Sequence, residues 1–200
     1  MRGIIIAILA AVTLAGCATA AQRQASTIKT VVQAAVAADK ECLVAVRSKP
    51  EYAPLLPHLL TEENKFQPTM AQLGDEKYAT NAEATLLAEY HDETDNCRRP
   101  DVEKIASVAP NVALPMTDAL INGDRLTLRV IKHEISWGEA ARTYQTENNE
   151  IQKRVLAAAQ ELDSNLNESH QAELAQRQAA LDALAQWAQQ QQMINAFNRR

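Results

Sequence analysis

The chain has 200 residues, with 20 Lys and Arg against 25 Asp and Glu, a formal charge of -5 and an apolar fraction of 46%, enough for one domain with a sizeable core. The acidic balance and the lack of any long Lys/Arg run weigh against nucleic acid as a partner, since its binders carry a basic face. Aromatic residues make up only 4% while Ala and Gln are abundant, a composition that packs small side chains between closely spaced helices.

At the N-terminus Met1-Arg2-Gly3 carries one positive charge, Ile4 to Leu14 is almost wholly apolar, and small residues precede Cys17. That is the charge, core and cleavage order of a secretory signal, and the run is too short to cross a bilayer, which takes about 20 apolar residues. Leu14-Ala15-Gly16-Cys17 at its end resembles the lipobox of bacterial lipoprotein precursors. The resemblance implies removal of residues 1–16, a diacylglyceryl group on the Cys17 sulfur and acylation of its new amine, which makes Cys17 the lipidation site and the link to a membrane. Each buried CH₂ contributes about 0.8 kcal/mol, so two chains already hold firmly. In Gram-negative lipoproteins the next residue directs sorting. Ala18 is not the aspartate of inner-membrane retention, which implies the outer membrane with the body facing the periplasm.

All seven prolines fall between Pro50 and Pro115, so two arms poor in helix breakers flank an irregular middle. Residues 17–25 are read as a lipidated tether, too short and polar to fold alone. A first helix, capped by Ser26 or Thr27, carries Ile28, Val31, Val32, Ala35, Cys42, Leu43 and Val46 on one stripe and ends at Pro50. Pro50, Pro54, Pro57 and Pro68 predict short turns and helical fragments. A better helix follows Thr80, whose capping box with Glu83 puts Leu87, Tyr90 and Cys97 on one face. Arg98 and Arg99 end it, where cations suit the helix dipole, and Pro100 starts or separates the next turn. From Pro115 a further helix carries Leu120, Leu128, Ile131 and Ile135. The alternation of residues 126–130 also suits a strand, but no partner strand is evident.

Ser136 and Glu139 form a second capping box that restarts the chain at Trp137, and Glu139 to Arg200 holds no Pro or Gly. One helix of roughly 90 Å is favoured there over a hairpin at Asp163 to Ser169. Its apolar seam runs Ile151, Val155, Ala159, Leu162, Leu166, His170, Leu174, Leu181, Leu184 and Ala188, with a stutter near His170. The predicted fold is all-α, a helical bundle or head with a long C-terminal amphipathic, coiled-coil-like helix. Its parts are a signal peptide at 1–16, the tether at 17–25, a helical region at 26–136 and the arm at 137–200.

With Cys17 acylated, Cys42 and Cys97 are the thiols that remain, and an exported, oxidising compartment favours a disulfide between them over two buried free thiols. The bond would close a loop of roughly 55 residues, for which chain entropy gives about 4 kcal/mol. Neither cysteine lies in a redox or zinc motif. His58, His91, His133 and His170 are far apart, and His133-Glu134 begins an HExxH pattern that Trp137 breaks. His91 among Glu89, Asp92, Glu93 and Asp95 is the most metal-like cluster, though a helix spreads those residues around its circumference. Paired acids such as Glu62-Glu63 lack catalytic specificity. Asp39, His170 and Arg177 stand on otherwise apolar stripes, as register-setting residues or solvated edges. Trp187, Ile194 and Phe197 gather near the C-terminus as core or coiled-coil contact, or as a partner-docking or membrane-touching end.

No catalytic residue, metal ligand or cofactor is therefore predicted. The expected function is an outer-membrane-anchored, periplasm-facing lipoprotein that serves as a binding or scaffolding module. An envelope protein or peptidoglycan is the expected partner, with self-association through residues 137–200. Wall-linked lipoproteins end in a lysine that Arg199-Arg200 does not supply, so bridging would be non-covalent. The alternatives are an envelope enzyme such as a cell-wall hydrolase, which a cleft lined by Asp39, Glu89 or His91 would favour, and a small-ligand or metal sensor.

Overall fold

The computed structural model describes residues 18–60 and 67–197, with side chains to residue 189. Leu14-Ala15-Gly16-Cys17, Glu62-Glu63, Arg199-Arg200 and the side chains of Ile194 and Phe197 lie outside that description. Every regular element among the described residues is helical: α1 (Ala20–Arg47), a 3-10 turn (Pro50–Tyr52), α2 (Met70–Leu73), α3 (Asn81–Val108), α4 (Pro110–Ile131) and α5 (Trp137–Phe197). The described residues form two compact units, one within Ile28–Leu162 and the other of residues 18–27 with 163–197. α1 and α5 each contribute to both.

α1 starts at Ala20, ahead of the Ser26 or Thr27 cap that its apolar stripe suggests, so residues 20–25 are helix and not tether. The cause is local. Thr19 Oγ1 accepts the Gln22 N–H at 3.1 Å and Gln22 Oε1 accepts the Thr19 N–H at 3.0 Å, a reciprocal capping box one element upstream of the hydrophobic signal. Ile28, Ala35, Leu43 and Val46 on the predicted stripe are buried.

α3 begins as expected, with Glu83 N donating to Thr80 Oγ1 at 3.2 Å and Thr80 N to Glu83 Oε2 at 2.8 Å. It does not break at Pro100, which lies inside the helix. Proline removes one donor to the carbonyl four residues back, and here that residue is Asn96, which is exposed and open to water. Cys97, Val102 and Ile105 are buried on both sides of it, so packing holds the helix across the missing bond. α4 begins at Pro110 instead of Pro115, with Pro110 in the first turn, where its missing N–H costs nothing. Residues before proline avoid the α region; Ala109 sits at φ -145°, ψ 67° and turns the chain sharply from α3 into α4. Residues 126–130 are helical.

α5 is one helix, with no hairpin at Asp163 to Ser169. Only half of its predicted capping box forms. Glu139 N donates to Ser136 Oγ at 3.2 Å, while the Glu139 carboxylate meets Arg129 at 3.4 Å. Other free N–H groups of the first turn find backbone partners, Trp137 N on Lys77 O at 2.9 Å and Gly138 N on Asp75 O at 2.7 Å. The approach requires glycine, because a Cβ at 138 would stand 2.6 Å from Asp75 O and 2.8 Å from Leu73 O. In the Ile28–Leu162 unit Leu43, Val46, Tyr52, Leu55, Leu87, Ile135 and Trp137 share one core, and the Tyr52 and Tyr90 rings meet edge to face at 5.2 Å.

Candidate functional site

Cys42 and Cys97 are joined by a disulfide, their Cα atoms 5.7 Å apart. The α1 stripe and the α3 face that carry them do meet. The bond sits in the core beside Leu43, Val46 and Leu87, a structural position with no free thiol.

α1, α3, α4 and the start of α5 enclose a cleft of about 150 Å³. Its apolar walls are Leu87, Leu126, Val130, Trp137 and neighbouring small residues, and its polar groups are Arg47, Arg98, His58, Thr127, Tyr90 and Tyr144. The His58 ring stacks on Trp137, centroids 4.4 Å apart and 11° between planes. Its Nδ1 lies 3.3 Å from Asp75 and its Nε2 3.8 Å from Glu83. Glu83 is held below the usual carboxylate range, chiefly by the Thr80 backbone N–H, with His58 as a lesser cause. Arg47 Nε reaches Tyr90 Oη at 3.4 Å. Burial pushes the Tyr144 phenol up, and the Arg98 and Arg47 guanidiniums partly offset that.

Asp39 lines a second groove of about 200 Å³. Asp101 and Arg98 join it there between apolar residues such as Val102, Ile105 and Leu120. Asp101 is buried and accepts from Lys104 at 2.7 Å. The cleft contains neither Glu89 nor His91. His91 instead meets Asp124 of α4 at 3.0 Å, with Asp95 at 3.9 Å. The Arg99 guanidinium already bridges both carboxylates, at 2.5 Å from Asp95 and 2.8 Å from Asp124, so a side-chain cation balances one of their two charges. The remaining acids of that stretch do not converge: Glu93 turns to Lys49 at 2.6 Å, a hydrogen bond that holds its carboxyl below the usual range. Burial, then a hydrogen bond to Glu93, pushes Tyr52 up to about 12.

In the other unit His170 and Arg177 find local roles. His170 Nδ1 lies 2.9 Å from Thr19 Oγ1, and Thr19 is 1% exposed. Glu173 accepts the Ala20 N–H at 2.8 Å and Arg177 at 2.7 Å. The Ala20 N–H is the main reason its carboxyl lies below the usual range. The polar interruptions of the α5 seam thus fasten the first turn of α1. Leu174, Leu181, Leu184 and Trp187 are exposed. Trp187 is therefore not in the core of this chain, and the seam, apart from the exposed Ala159, is half-buried only as far as His170.

Sequence reasoning singled out Cys42, Cys97, Asp39, His91 and His170. It missed Arg47, Tyr144 and Asp124, whose significance comes from helices far apart in sequence, and it read Arg98 only as a helix-end charge. No known protein family, curated protein or solved structure matches the chain.

Proposed function

We propose that the chain is an outer-membrane-anchored, periplasm-facing lipoprotein that acts as a binding or scaffolding module of the cell envelope. The address rests on Leu14-Ala15-Gly16-Cys17 and the apolar run before it. The observation that weighs most is how soon the folded chain starts after that motif. Thr19, two residues beyond Cys17, is buried, caps α1 and contacts His170. An acyl group on Cys17 would therefore hold a folded helix pair at the membrane with no long spacer. The Cys42 to Cys97 disulfide suits an oxidising compartment. No helix among the described residues is long and apolar enough to cross a membrane, which is compatible with attachment through a lipid. The exposed apolar residues of α5 suit association with a second copy or an envelope partner.

Palmitate labelling and membrane flotation test the anchor. Wild-type protein is expected to carry label and float, and Cys17→Ser to lose both. Label retained on the serine variant, or wild-type protein free in the soluble periplasm, would refute the lipoprotein assignment. Crosslinked pull-down of the lipidated protein, set against the Leu181→Glu/Leu184→Glu variant, tests whether α5 mediates association.

A second reading, an envelope hydrolase, is favoured by Asp39 and Asp101 sharing one apolar groove, since hydrolysis of a glycosidic bond uses a pair of carboxyl groups. Its test is peptidoglycan turbidity clearance by the wild type against Asp39→Asn and Asp101→Asn. Activity that both variants lack would replace the scaffold with an enzyme.

A further inference from the structure

The cleft beside Trp137 combines charge and apolar surface in a way the scaffold role does not use. In a chain with 25 acids against 20 Lys and Arg, its lining includes Arg47 and Arg98 and no Asp or Glu. Four of the other described arginines have carboxylate partners, Arg99 with Asp95 and Asp124, Arg129 with Glu139, Arg154 with Asp118 and Arg177 with Glu173, while Arg23 and Arg142 donate to backbone carbonyls. Arg47 and Arg98 are both half-buried, and among the described residues neither forms an ion pair. Arg98 also borders the groove of Asp39 and Asp101, where the Asp101 carboxylate accepts from Lys104 at 2.7 Å.

A guanidinium stays charged at any physiological pH, and partial burial without a counter-charge is unfavourable. Two of them on one cleft create a demand for an anion. Arginine meets a planar carboxylate through two parallel N–H···O bonds. The Tyr144 phenol, which has no hydrogen-bond partner among the described residues, and Thr127 add polar groups to the same cleft. Leu87, Leu126, Val130 and Trp137 offer the rest of the ligand an apolar surface, and a Cβ-sized space beside Gly123 is open. A volume of about 150 Å³ is the size of a cavity that takes a benzene ring.

We infer that this cleft binds a small organic carboxylate, its carboxyl group held by Arg47 and Arg98 and its apolar body, ring-sized or a short acyl chain, set against Trp137 and Leu126. The site is independent of the lipid anchor.

The test uses the oxidised full chain carrying Trp187→Phe, which leaves Trp137 as the sole tryptophan. Benzoate, hexanoate, benzamide and inorganic phosphate are titrated by calorimetry and by Trp137 fluorescence. Saturable binding of benzoate or hexanoate with a change at Trp137 is expected, with benzamide and phosphate weaker by at least about tenfold, since the first lacks the charge and the second the apolar body. Arg47→Gln and Arg98→Gln should each weaken the carboxylate by about tenfold or more; Arg154→Gln, away from the cleft, should not. Should a cleft variant fail to fold, phenylglyoxal modification of the Arg47- and Arg98-bearing parent chain, mapped by mass spectrometry, gives the same answer: the carboxylate should protect both arginines and benzamide should not. Equal affinity for benzamide or phosphate, unchanged affinity in a folded double arginine variant, no saturable binding of either carboxylate, or unprotected arginines would each overturn the site.

Discussion

Two residues show how local chemistry sets positions that the rest of the fold depends on. Thr80 accepts the Glu83 N–H and Glu83 accepts the Thr80 N–H, so the start of α3 rests on a single side-chain pair. Thr80→Ala removes one partner and is expected to cost about 1 kcal/mol, read as a lower urea midpoint with unchanged slope. Gly138 is constrained by space. Its amide donates to Asp75 O at 2.7 Å, and a methyl group at this position would meet the Asp75 and Leu73 backbone at 2.6 and 2.8 Å. Backbone cannot rotate away as a side chain can. Gly138→Ala should therefore destabilise by roughly 1–3 kcal/mol, although alanine is the better helix former; a rise in melting temperature would show that the contact is not tight.

At the scale of elements, α1 and α3 are held by a covalent bond as well as by packing. Reducing Cys42 to Cys97 frees a loop with a sequence separation of 55, for which chain entropy predicts a loss of about 4 kcal/mol, reduced by any native strain the bond relieves. Guanidinium unfolding with and without reductant measures it. Hydrogen exchange should localise the faster opening to α1 and α3, with the distal part of α5 unaffected, because that part lies outside the loop. α5 itself behaves differently along its length. Ile151, Val155, Leu162 and Leu166 are half-buried, while Leu181, Leu184 and Trp187 are exposed. Ala158, not Ala159, takes the inward position between Val155 and Leu162, since a helix advances by alternating threes and fours.

Across the whole molecule, stability should depend on acid in one direction. Glu83, Glu93 and Glu173 are all held below the usual carboxylate range, by the Thr80 backbone N–H, the Lys49 ammonium and the Ala20 backbone N–H respectively. A group whose folded value is depressed binds its proton more readily when unfolded. Its contribution is thus fully present above the unfolded value of about 4.3 and is lost as pH falls through the lower folded value. Melting temperature should be flat near neutrality and decline below about pH 4.3. Glu83→Gln should flatten part of that decline. An acid profile identical in the wild type and in the variant would show that Glu83 has no linked role.

Helix identity along most of the chain was legible without any tertiary information, because its determinants are local. Apolar spacing marks α1 and α5, Thr80 with Glu83 marks the start of α3, and the absence of Pro and Gly after Glu139 marks one uninterrupted helix. The cap at Thr19 was equally local, but it precedes the first strong apolar position, Ile28, and periodicity alone placed the start too late. Pro100 misled for the opposite reason. A local rule reads a break there, whereas buried neighbours on either side keep α3 continuous. The pairing of Cys42 with Cys97 followed from their number once an exported address was assumed. The meeting of Arg47 and Arg98 around one cleft, of His91 with Asp124, and of His170 with Thr19 could not be read in advance. Helical periodicity tells which face of a helix is apolar, but only the packing of one helix against another decides which charges share a space.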